Sequence, residues 1–205
     1  MGDKDVTRAI DLWAGGGTLH PMQLSLSWDL FIVVFFAIVM SYSFIIGKHQ
    51  SMKIIIASYI AIIATQGIGN VAARLAASSG GTLASMGIPV DVTMIALGKI
   101  FIFAVCVIVF VIRSGIEVSY EKDAGNILNI VYTGLFGFST AGLVVSTILT
   151  YASGSGILDS AMAAQGAIAP LAANSTLMQL MILNQDIWYT LPAFLIIAMG
   201  FIHND

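Results

Sequence analysis

The sequence predicts an all-α fold: a polytopic membrane protein with four transmembrane helices and amphipathic or re-entrant helices at its ends. Composition, run length and run texture predict it. Of the 205 residues, 58% are hydrophobic and only 9% are charged, and mean hydropathy is +0.94. Soluble domains carry about 25% charged residues. This chain lacks the polar groups to cover a globular surface, so much of that surface must face lipid. The apolar residues fall in continuous runs near the ~20 residues that a helix needs to cross a hydrocarbon core. They do not alternate, which excludes a transmembrane β-barrel. A helix also pairs its own backbone where lipid offers no partner.

The elements follow in order. Residues 1–28 form an amphipathic N-terminal segment. Asp3, Asp5, Asp11 and Asp29, with no apolar core at the start, give no sign of a cleavable signal. In DVTRAIDLWAGGG, Val6, Ile10 and Trp13 share one helical face, and Gly15, Gly16 and Gly17 stop the helix. This predicts a short helix on the membrane surface or against a partner, with a frayed tail as the alternative.

Residues 29–151 form a four-helix transmembrane domain, with spans at 30–47, 54–71, 92–112 and 127–151. Lys99 is the one charge inside these spans. The stretch FIIGKHQSMKIII, residues 44–56, joins the first two. It reads as a short polar hinge between antiparallel helices, with Lys48 and Lys53 in reach of anionic headgroups. Orientation follows Lys and Arg near the span ends. Lys48 and Lys53 in the hinge and Arg113 and Lys122 in the third loop oppose Arg74 alone on the other face. The hinge is therefore expected in the cytoplasm. The N-terminus and C-terminal region are expected outside a multi-pass inner (plasma) membrane protein.

Residues 152–205 form a membrane-associated helical region. ASGSG after Tyr151 reads as a flexible break. Asn174 or Ser175 offers an N-cap, and Leu177, Leu180, Met181 and Asn184 follow at helical spacing. The last apolar run, 187–202, contains Pro192. It is marginal as a span and suits a re-entrant or interfacial piece, so four spans are expected rather than five. Trp188 and Tyr189 at its start fit an aromatic belt at the headgroups.

Polar groups inside the spans are the candidate functional residues. Lys99 sits about two turns into the third span and can snorkel to the interface on its stem. No Asp or Glu lies in the spans to pair with it, which argues against a proton- or sodium-coupled transporter. Gln66 and Asn70 share a face of the second span and can bond across helices or line a wet cavity. In the fourth span Gly134, Gly137 and Ala141 line one face, and small residues at that spacing let another helix come close. Phe136 is expected to point away from that face.

Catalytic motifs are missing. The three histidines, His20, His49 and His203, lie outside the spans, and no metal, nucleophile or phosphate-loop motif occurs. No catalytic, cofactor-binding or metal-binding residue is therefore assigned. A net charge of −3 gives no nucleic-acid footprint. Cys106 is the only cysteine, so no intrachain disulfide forms.

Asp29 before the first span, SFIIGKHQ around Gly47 and the fourth-span stretch NILNIVYTGLFG carry a resemblance. Over roughly residues 28–195 the chain resembles the CvpA (colicin V production) family of inner-membrane proteins. It departs from that family by its N-terminal preface and by Ile46 and Lys48 flanking the hinge glycine, where an arginine is usual. Phe138, Ser139 and Thr140 stand where some members carry a fourth-span arginine. The resemblance implies a bacterial envelope role, in secretion or envelope maintenance. Two expectations of different class result. One is a non-enzymatic envelope protein that acts by assembly with itself, as a homo-oligomer, or as a subunit of a membrane complex with such a partner. The other is a small pore or carrier with Lys99, Gln66 and Asn70 lining a path.

Overall fold

A computed structural model describes residues 28–85, 92–113, 115, 126–157 and 165–202. The regular structure among them is helical: α1 Trp28–Ser85, α2 Val92–Arg113, α3 Asn126–Ser153, α4 Ala169–Ala172, α5 Thr176–Leu183 and α6 Gln185–Ile202. The N-terminal face of Val6, Ile10 and Trp13 and most of the third loop lie outside the described residues.

Helix α1 is not one rod. Gly47 has φ 80° and ψ 173°, values that glycine adopts without the Cβ clash other residues meet. Across it, the hydroxyls of Ser43 and Ser51 hydrogen-bond to each other. Eight residues would separate them by about 12 Å on a straight helix. The chain therefore folds back at Gly47 into two arms, residues 28–46 and 48–85. The predicted polar hinge is tighter than a loop: helix runs up to Gly47 and resumes after it. Lys48 does not reach outward as expected. It is 7% exposed, and its ammonium donates to Asn129 Oδ1 at 2.8 Å.

Contacts along α3 give the topology. Lys48 meets Asn129, Met40 and Ser43 meet Gly137, and Ile32 shares a cluster with Val145 and Leu149. The first arm is antiparallel to α3. Met52 and Ile55 cluster with Phe136, and the Tyr151 hydroxyl donates to the Ile62 carbonyl at 3.1 Å. The second arm is parallel to α3. Helix α2 runs against both, with Lys99 at Gly69 and Phe103 among Ala61, Ile62 and Tyr151. The two arms, α2 and α3 thus make an up-down-up-down bundle. Helix α6 runs antiparallel to α3: Trp188 lies on Gly142, and Met199 packs with Phe136.

Among the described residues, three helices are able by length and composition to cross a membrane: Trp28–Leu75 within α1, Thr93–Arg113 and Ile127–Ser153. The bent pair Thr176–Leu183 and Gln185–Gly200 raises this to four if it counts as one span; it bends by 68°. Helix continues past the expected end of the second span at about residue 71, to Ser85, while the stretch apolar enough to span ends at Leu75.

The ASGSG stretch is not a loose break. Gly154, at φ 76°, ends α3 with its amide on the Tyr151 carbonyl at 3.0 Å. Ser153 and Ser155 are each 5% exposed and share a hydroxyl hydrogen bond of 2.7 Å. The Ser155 hydroxyl also reaches the Thr150 carbonyl at 3.2 Å. A Cβ on Gly166 would run into the Ser153 carbonyl, so the returning chain lies directly on the end of α3.

Candidate functional site: the polar seam around α3

Among the described residues, helix α3 carries more buried polar side chains than any other helix. Thr133, Ser139, Thr140, Ser146, Thr147, Thr150 and Ser153 are all buried. Most return their proton to a carbonyl one turn earlier: Thr140 to Phe136 at 2.6 Å, Thr147 to Leu143 at 2.7 Å and Thr150 to Ser146 at 2.8 Å. This back-bonding satisfies a hydroxyl without a partner helix and lets it sit in an apolar interior.

The small-residue face of α3 meets the first arm of α1. A Cβ on Gly137 would stand 2.7 Å from Ser43 Cβ and 3.1 Å from Met40 Cα, and one on Gly134 would stand 3.2 Å from Phe44 Cζ. Ala141 is fully buried. The helix that approaches this face is thus a part of the same chain. Phe136 points away from the glycine face, as expected, but not into lipid. It is fully buried with Met52, Ile55 and Met199, against the second arm. Because α3 is sandwiched, the face behind the glycines is also interior.

Lys99 is held rather than extended. Its Cε would come within 2.5 Å of a Cβ on Gly69, and its ammonium lies 5.9 Å from the centre of the Tyr151 ring. That is within cation–π range. Gln66 and Asn70 bond to each other along their own helix, Nε2 to Oδ1 at 3.4 Å, rather than across helices. Lys99 thus lies on Gly69, next to Asn70 in sequence, while Gln66 and Asn70 pair with each other.

A second constellation was not read from the sequence. The Tyr59 hydroxyl donates to the Tyr189 carbonyl and accepts from the Ala193 amide at 3.2 Å. The Tyr189 hydroxyl donates to Thr147 Oγ1 at 3.2 Å, and Thr147 passes its own proton to Leu143. Three helices are tied by this chain of hydroxyls. Pro192, the fully buried proline of α6, lies inside the bridged turn. The proline was the available signal: it removes one amide and loosens the ladder beside it.

Trp188 and Tyr189 turn inward instead of forming an interfacial belt. Tyr189 is 9% exposed. Trp188 lies flat on Gly142, where any Cβ would collide with its ring, and Phe36 and Phe138 stand 5.8 and 5.6 Å from it. These rings form one wall of an apolar groove of about 490 Å³, with Met40 and Leu180 on its other sides. Above the groove, Asp29 joins the first arm to α5. Its carboxylate accepts from the Ser175 hydroxyl and from the Leu177 amide at 2.9 Å. Ser175 is the N-cap of α5, taking the Met178 amide at 3.1 Å. The buried face of α5 is Met178, Met181 and Ile182, while Leu180 is exposed.

Among the described residues no three His, Cys, Asp or Glu side chains group closely enough to hold a metal ion. No family model, curated protein or solved structure matches the chain.

Proposed function

We propose that this chain is a non-enzymatic, multi-pass integral membrane protein of the bacterial envelope that acts by assembly, with itself or with a secretion or envelope-maintenance partner. Each arm of α1, α2 and α3 then crosses the bilayer once. The first arm, residues 28–46, is about 28 Å long at 1.5 Å per residue, close to the hydrocarbon thickness. The apolar exterior supports a lipid setting: Ile45 is 81% exposed, Ile127 79% and Phe101 70%. The envelope part of the reading rests on the sequence resemblance to the CvpA family alone.

The observation that carries the assembly part is the groove beside Trp188. The glycine face of α3 is filled from within the chain, so it leaves no site for a partner. The groove is lined by apolar side chains only and opens between the first arm and α5. The pore reading draws less support, because the Lys99 stem is packed on Gly69 and Gln66 pairs with Asn70.

Mass measurement in nanodiscs tests the proposal, together with Leu180→Arg at the groove rim. Assembly predicts more than one chain, or one chain with a stoichiometric partner, lost on the substitution. A single chain in native-like lipid, unchanged by Leu180→Arg, removes the assembly reading. Ion or solute flux in liposomes would move the assignment to the pore.

A further inference from the structure

Three side chains among the described residues are at most 1% exposed and hold polar atoms without a hydrogen-bond partner: Thr65, Ser146 and Gln185. Gln185 is the extreme case, because both its Oε1 and its Nε2 are unpaired. A buried amide with neither its donor nor its acceptor satisfied is costly and rare. We propose that Gln185 and Ser146 form a binding site for a buried water at the break between α5 and α6.

The register of the helices places the two side chains opposite each other. Trp188 lies on Gly142, while Val145 and Leu149 share a cluster with Met181 and Ile182. Gln185 stands between Ile182 and Trp188, so it faces α3 between Gly142 and Leu149. Ser146 is one turn beyond Gly142 on the same side of α3. Both groups are unpaired, so they make no direct hydrogen bond with each other. One water bridging the two side chains would satisfy both.

The helix break provides the reason for such a site. Helix α5 ends at Asn184, and the chain turns by 68° into α6. Backbone groups at the joint are partly consumed: the Asn184 carbonyl takes the amides of Ile187 at 3.1 Å and Trp188 at 3.4 Å. The Asn184 side chain turns back to the Leu180 carbonyl at 2.8 Å. Gln185 is left as the polar side chain that the bend drives into the interior. The ligand class follows from the donor set. Gln185 offers one acceptor and one donor, and Ser146 offers a hydroxyl, all neutral. Asp186, the adjacent charge, is exposed. Three polar partners and no charge suit a water molecule.

The test uses the full chain in nanodiscs. Gln185→Met keeps the side-chain length and removes both polar atoms. A water site predicts magnetisation transfer from water to the Gln185 side-chain amide protons, weakened in Ser146→Ala. It also predicts a lower melting temperature for Gln185→Met. A higher melting temperature for Gln185→Met overturns the proposal, since that is the result for a plainly unpaired amide. So does the absence of water transfer, or a transfer unchanged by Ser146→Ala. The wild-type and Ser146→Ala spectra decide the matter if Gln185→Met does not fold.

Discussion

Tyr59 sets its hydroxyl 3.2 Å from the amide of Ala193, inside the turn of α6 that contains Pro192. The same hydroxyl donates to the Tyr189 carbonyl. Residues 189 and 193 are the pair that a regular helix joins i to i+4. A side chain inserted there is one of the few causes of a bent helix, and a proline is another. In α6 the two coincide. A phenol from the second arm of α1 thus stitches α6 to the bundle at its weakest turn.

Tyr59→Phe keeps the ring and removes both bonds. It should destabilise by about 1–3 kcal/mol, the cost of leaving buried polar groups unpaired. Pro192→Ala restores an amide for the Trp188 carbonyl and should let the turn close. The penalty for Tyr59→Phe should then shrink in the double variant. Equal penalties in both backgrounds, read from melting in nanodiscs, would show that the hydroxyl does not serve the turn.

Gly47 is a backbone requirement without a steric one. No atom lies within 4 Å of a Cβ built there, but φ is +80°. Gly47→Ala should cost about 1–3 kcal/mol through the backbone alone, because φ +80° with ψ 173° is a region that essentially only glycine enters. Gly47→Asn should cost at least as much, since the tolerance of Asn for positive φ is confined to the left-handed helical region, near a ψ of about 47°. Tolerance of both substitutions in thermal melting would mean that this backbone conformation does not close the hairpin.

At Gly137 the reason is packing. Its neighbours are Ser43 Cβ and the Met40 backbone, and the latter cannot swing aside. Gly137→Leu should cost about 1–3 kcal/mol as overpacking. Phe136→Ala, with the ring fully buried, should cost about 3–5 kcal/mol as a large-to-small core change. Thermal melting of the two variants checks both, and tolerance of Phe136→Ala would contradict its packing against the second arm and Met199.

Residue pattern made the helices legible and left their partners obscure. Long apolar runs can only be helices in lipid, so the all-helical character, Gly47 as a break and Ser175 as a cap could be read directly. Which face turns inward could not. A soluble helix advertises its core face by contrast with a polar face, but here both are apolar. For that reason the burial of Phe136 behind the glycine face could not be foreseen. The small-residue face was visible because glycine spacing is a steric signal, independent of polarity. The Tyr59 link was invisible because its partners are backbone groups far along the chain, which no side-chain motif marks. Trp188 misled because an aromatic at a helix start suits the headgroup region and a glycine socket equally well.

Orientation can be read at Gln50 and Ser78, both exposed. After replacement of Cys106, a cysteine at Gln50 should resist an impermeant thiol reagent added outside cells. One at Ser78 should react. The opposite order would reverse the topology proposed from the basic residues.

The last prediction concerns the clamp between the first arm and α5. Ser175 accepts the Met178 amide and donates to Asp29, while Asp29 also accepts the Leu177 amide. Two of the first amides of α5 are therefore held by side chains of different helices. An eight-residue helix is too short to persist on its own propensity. Its order depends on this cap and on Met178, Met181 and Ile182 beneath it. Ser175→Ala should cost about 0.5–2 kcal/mol, as lost N-caps do. Asp29→Ala should release the Leu177 amide and loosen the same helix. Because the two residues act through one hydrogen-bonded unit, their effects should fall short of additive in the double variant. Amide exchange at Leu177 and Met178 reports this locally: both amides should exchange faster in each single variant. Strict additivity, with Leu177 unaffected by Asp29→Ala, would mean that the carboxylate does not hold α5 against the first arm.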